Sequence, residues 1–135
     1  MPSSSTHVTI TGNCAWTPEL KQTDQGVPWL SFKVAVNARV QEEGTWKDGP
    51  TSWYTVRCWR ELATHVAESV EKGNRVIVDG SLVISEWTTR DGEKRTSAEI
   101  TADDVGLSLL WVHTKPLEPA RRGARAENPW EADGR

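Results

Sequence analysis

The fold is decided by three consecutive stretches: SWYTVRCW at residues 52–59, RELATHVAESVEKGN at 60–74 and RVIVDGSLVISEW at 75–87. In the first, Trp53, Thr55, Arg57 and Trp59 share one parity, and Tyr54, Val56 and Cys58 share the other. A period of two with apolar residues on one side predicts a strand. The period then changes. Leu62, Val66 and Val70 recur every four residues with Ala63 and Ala67 beside them, which predicts a helix over 61–72 with one apolar face. Gly73 stands where a C-terminal cap glycine is wanted. Residues 75–87 return to a long strand, and Gly80 inside it predicts a bulge or bend.

The flanks supply more strands. Val8 and Ile10 alternate with Thr9 and Thr11, which predicts a half-buried strand over 7–12. Residues 16–21 read as a short continuation, and 23–26 as a turn. A second strand is expected over 29–40, then an exposed hairpin loop over 41–52 around a lone Trp46. Downstream, Asp91-Gly92 is a hairpin signal, 96–102 the returning strand, and 107–112 a further short strand. Asp103-Asp104 reads as a strand-ending turn. The Pro- and Arg-rich residues 113–135 cannot build a core and are expected to be a disordered tail beyond a domain at 1–112. Three strands, one helix and two strands predict an all-β, five-stranded OB-fold barrel. Its one short α-helix lies between strands 3 and 4, and an extra C-terminal strand follows. A parallel α/β fold would need several crossover helices.

The chain has eight Trp but only one Phe and one Tyr. A buried indole needs a partner for its N–H, so Leu, Ile or Phe would fill a core at lower cost. The excess points to flat stacking surfaces. The net charge is −3, which excludes a globally basic nucleic-acid binder. Residues 1–112 carry 11 Lys+Arg against 15 Asp+Glu, and 113–135 carry 5 against 4. Any anion site must therefore be a local groove. No apolar run approaches the roughly 20 residues that span a bilayer. The polar start lacks a signal peptide, so a cytoplasmic protein without membrane contact is expected.

Trp53, Arg57 and Trp59 place two indoles and a guanidinium on one strand face, and Trp87 ends the next strand. Aromatic platforms with interleaved cations suit a single strand of nucleic acid, each base stacking for about 1–3 kcal/mol. The neighbouring cations are Lys33, Arg39, Lys47, Arg57, Lys72, Arg90, Lys94 and Arg95, and Trp46 sits at a hairpin tip. Singly, each cation is an ordinary solvated charge, and each Trp an ordinary barrel cap or interface residue. As a set on one parity they favour a binding face. An oligosaccharide-binding module or an assembly subunit is the alternative. His7, His65 and His113 are dispersed, and no phosphate loop, nucleophile elbow or carboxylate pair occurs, so neither an enzyme, a metal nor a cofactor is expected. Two cysteines are too few for a disulfide framework. Cys58 has core parity. Cys14, just past the first strand, is open to exposure and hence to an intersubunit disulfide.

Over about residues 8–110 the chain resembles the bacterial single-stranded DNA-binding protein family of homotetrameric OB-fold type. The resemblance rests on VTITGN at 8–13, PEL at 18–20, TSWY at 51–54, RELA at 60–63, KGNRV at 72–76, VDGSL at 78–82 and WTTRDG at 87–92. It implies stacking roles for Trp53, Trp59 and Trp87. It implies sequence-independent binding and protection of single-stranded DNA in replication, recombination and repair, in the cytoplasm at the nucleoid. A further family aromatic falls on Val40, with Trp46 or Trp29 as candidate substitutes. The family recruits partner enzymes through an acidic tail. NPWEADGR at 128–135 lacks the acidic run, so that recruitment is not implied here. The chain is similar to short-tailed actinobacterial second copies, implying an auxiliary paralogue, and 107–112 to their additional subunit-clamping strand.

Overall fold

The computed structural model describes residues 4–115 and 117. Its elements are β1 (Thr6–Cys14), β2 (Lys21–Gln22), β3 (Pro28–Glu42), β4 (Thr45–Trp59), α1 (Arg60–Ser69), β5 (Arg75–Thr88) and β6 (Lys94–Leu107). The five long strands follow in the order β1-β5-β6-β4-β3, and β1 returns to β3 through Asn13 and Cys14, closing a ring. Only the β4–β6 pair is parallel. This is the expected five-stranded barrel; β2 is a two-residue addition at the β3 edge.

The interior follows from parity. Leu30, Phe32 and Val34 of β3, Val56 and Cys58 of β4, Val76 and Val78 of β5, and Ile100 of β6 are fully buried. Each burial of a side chain of this size contributes about 1.5–3 kcal/mol. Helix α1 packs on β3 and β4, burying Ala63 and Val66. It is shorter than expected: Val70 is already extended (φ −109°, ψ 133°), although it stays buried. The predicted irregularity at Gly80 is present as a register shift between Asp79 and Gly80, where a Cβ on Gly80 would lie 2.2 Å from the Thr101 carbonyl oxygen. The extra residue of the bulge is Asp103, on the partner strand, so Asp103-Asp104 lies inside β6 and does not end it.

Three expectations are corrected. Residues 41–52 are not a loop: β3 and β4 continue as a ribbon joined by Glu43-Gly44 alone, both with positive φ (54° and 78°), as a tight hairpin requires. That ribbon is exposed on both faces, so it carries no apolar period to read. Residues 16–21 are irregular except for Lys21, where β2 begins. The extra C-terminal strand over 107–112 does not form within the single chain. Leu107 ends β6, and 108–112 pair with no strand of the chain, although β4 covers β6 only over 98–101. Beyond it the Ser108 N–H donates to the Arg75 carbonyl (2.9 Å), and the Trp111 ring lies 4.7 Å from the Arg75 guanidinium. The expected tail at 113–135 falls outside the described residues, apart from 113–115 and 117.

Candidate nucleic-acid interface

The strand registers assemble one outward face from four strands. Ser81, Thr101, Arg57 and Ser31 form one row; Val83, Glu99, Thr55 and Lys33 form the next. Ser85 opposes Ser97, Trp53 opposes Ala35, and Trp87 opposes Arg95. At the other end Trp59 opposes Trp29, and Trp29 opposes Lys21. Mostly small Ser, Thr and Ala side chains thus make a floor, and indoles rise at its margins. Trp53, Trp59 and Trp87 are 54%, 39% and 52% exposed. Among the described residues no tryptophan is fully buried: Trp29 is half-buried and the others are exposed.

Trp59 is braced. Its ring stacks on Trp29 with centroids 5.8 Å apart and planes 26° from parallel, and the Lys21 ammonium lies 5.5 Å from the Trp29 centroid. Such pairs add about 0.5–1.5 kcal/mol beyond area burial. Sequence parity marks Trp29 as outward, but only the β3–β4 register brings it against Trp59. Trp46 reaches this face by a bulge: between Asn37 and Arg39 the β4 strand spends one extra residue. The slip reverses parity beyond it, so Trp46 shares the ribbon face of Arg39 and Asn37. Without the bulge it would lie on the side of Tyr54.

The expected cations divide. Lys33 and Arg95 stand on the face, with Arg95 paired to Glu93 (3.1 Å). Arg57 is there too, but its Nε lies 3.5 Å from Glu99 Oε1 and makes no hydrogen bond among the described residues. Arg39 faces with Trp46, 3.8 Å from Asp48. Lys47 takes the opposite face of the ribbon, 3.2 Å from Glu42. Lys94 likewise alternates away from Arg95, and Arg90 lies in the exposed hairpin turn. Lys72 is not brought onto the strand face: it sits in the turn after α1, its N–H donating to Thr17 Oγ1 (3.0 Å).

The expected exposure of Cys14 is corrected: it is 2% exposed, and its thiol donates to the Trp16 carbonyl (2.9 Å). Burial raises its pKa against that hydrogen bond, and burial pushes Cys58 up to about 12. Both behave as small hydrophobes. Sequence spacing also missed a cluster on β1, β5 and β6. His7 Nε2 lies 3.0 Å from Asp79 Oδ1, His7 Nδ1 lies 4.0 Å from Asp103 Oδ2, and Thr9 Oγ1 donates to Asp79 (2.7 Å). The Thr9 hydroxyl, with His7 beside it, holds the Asp79 carboxyl below its usual range.

With this geometry in place, the comparisons with known proteins are specific. Residues 5–108 match the Single-strand binding protein family. The single-stranded DNA-binding protein of Mycobacterium leprae is 40% identical over 90% of this chain and 73% of its own length. Single-stranded DNA-binding protein 2 of Streptomyces coelicolor is 37% identical over 90% of this chain and 62% of its own. The crystal structure of a small single-stranded DNA-binding protein from Streptomyces coelicolor superposes with a TM-score of 0.71 at 34% identity, covering 79% of this chain and 97% of that one. The chain belongs to the Single-strand binding protein family.

Proposed function

We propose that this protein binds single-stranded DNA without sequence preference and protects it in replication, recombination and repair, carrying out no reaction itself. The observation that carries this is the outward face on which Trp53, Trp59 and Trp87 border a floor of mostly small side chains. Stacking on exposed indoles accepts any base, because every base has a π-face. Lys33, Arg57 and Arg95 stand within the same face to meet phosphates. Family membership and the names of the relatives point the same way.

The working form is a homotetramer. Two features support this. From Thr6 to Gly12, β1 pairs only with β5, which leaves its other edge open to a second copy. Leu109, Leu110, Trp111 and Val112 are all more than half exposed, an apolar run that a single chain leaves uncovered. Described residues include no helix long and apolar enough to cross a membrane. The place of action is the cytoplasm, where single strands open in the nucleoid.

Fluorescence anisotropy of a labelled oligothymidine tests the binding. Saturable binding that unlabelled duplex fails to compete away is expected; equal competition by duplex would overturn it. Light scattering on the same sample gives the mass, and a monomer would overturn the tetramer.

A further inference from the structure

Arg60 has φ 63°, in the left-handed region that a side chain with a Cβ rarely adopts. It stands at the junction where β4, still extended at Trp59 (φ −128°, ψ 149°), turns into α1. Such outliers persist where the surroundings impose them, and they gather at binding sites. The consequence here is visible. The turn out of Trp59 sets Arg60 on the rim of an open depression of about 360 Å³, lined by Thr23, Asp24, Gln25, Val27, Trp59 and Arg60. This depression lies at the end of the outward face, beyond Trp59 and under the turn that leads into β3. One wall is the indole already braced by Trp29. Arg60 is exposed and makes no ion pair among the described residues, unlike Arg57 and Arg95 on the face itself.

We infer that Arg60 pairs with the phosphodiester beside the base stacked on Trp59, so that a bound single strand runs on through this depression. The inference rests on the single-strand-binding function proposed above and extends the strand's path past Trp59 to the β2–β3 turn. The planar guanidinium suits a phosphate by two parallel hydrogen bonds. Asp24 places one carboxylate on the same rim. It disfavours a dense anion such as a free nucleoside triphosphate and leaves room for the single charge of a phosphodiester.

The test uses the full chain with oligothymidine, comparing Arg60→Gly, Arg60→Lys and Trp53→Ala over a range of salt. Glycine accepts positive φ freely, so Arg60→Gly keeps or raises the denaturation midpoint and folding is not at issue. Its affinity should fall about tenfold, the loss of a hydrogen bond to a charged group. The slope of log affinity against log salt should shrink by about 0.7, one phosphate contact on a single strand. Arg60→Lys should restore the slope but only part of the affinity. If Arg60→Gly binds with unchanged affinity and slope while Trp53→Ala is weakened, the Arg60 contact is overturned and the binding face stands. If Trp53→Ala also binds normally, or the native chain binds no single strand, the function itself is overturned.

Discussion

Arg57 and Glu99 sit across the β4–β6 pair, with Arg57 Nε 3.5 Å from Glu99 Oε1, so the guanidinium at the middle of the outward face is already matched by a carboxylate. The pair is loose, and Arg57 Nε has no hydrogen-bond partner among the described residues. Both side chains are about two-fifths exposed, so solvent screens the attraction and the guanidinium can exchange Glu99 for a phosphate. Removing the carboxylate should therefore help. Glu99→Gln is expected to bind oligothymidine about two- to fivefold more tightly, the range of an exposed ion pair. Weaker binding by this variant would mean that Glu99 positions Arg57 for its contact.

The indoles should carry more than the cations. Trp53→Ala, Trp59→Ala and Trp87→Ala are each expected to lose about 5- to 150-fold in affinity, equivalent to about 1–3 kcal/mol per stacked base. Because stacking is indifferent to base identity, the losses should be similar on oligothymidine and oligocytidine. Isothermal titration with both ligands checks this. A loss confined to one base would point to hydrogen-bonded readout instead.

The barrel was legible in the sequence wherever one face is buried. The alternation through β4 and the four-residue spacing of Leu62, Val66 and Val70 follow directly from the need to cover a core. The β3–β4 ribbon was not legible, because both of its faces meet solvent and its residues show no apolar period. The site divides similarly. Trp53, Arg57 and Trp59 share a parity that can be counted. Trp29 beside Trp59, Glu99 beside Arg57, and Trp46 on the face of Arg39 depend on strand registers and a bulge, which residue parity within one strand does not reveal. The segment 107–112 has strand-like composition, but beyond Leu107 it pairs with no strand of its own chain and leaves Leu109, Leu110, Trp111 and Val112 exposed.

The irregularity at Gly80 gives a stability prediction. Gly80→Ala would set a Cβ 2.2 Å from the Thr101 oxygen and 2.9 Å from Ala102 Cα. Both are backbone atoms and cannot swing away. A loss of about 3 kcal/mol is expected, at the upper end for overpacking. Gly106→Ala, where a Cβ meets nothing within 4 Å, is the control and should change little. Urea denaturation of both variants decides it; equal midpoints would contradict the close packing at Gly80.

The cysteines should be chemically silent in the folded protein. Cys14 and Cys58 are expected to resist a thiol reagent at mildly alkaline pH and to react fully on denaturation, with no disulfide-linked dimer on a non-reducing gel. Burial raises both thiols in the folded state, Cys58 to about 12 from 9.0. Their contribution to stability is thus complete below about the unfolded value and lost as pH climbs through the folded one. Cys58→Ala should accordingly lose less stability on going to alkaline pH than the native chain. Rapid native labelling at Cys14 would place it at the surface.

Intrinsic tryptophan fluorescence, titrated with oligothymidine at low and high salt beside a matched duplex, reaches the central claim most directly. Trp53, Trp59 and Trp87 are exposed in the free protein and lie along one face, so stacking bases should quench the emission deeply. The quenching should saturate, weaken with salt and be absent with duplex. An emission unchanged by any form of DNA would show that these indoles hold no bases, and the outward face would then have another use.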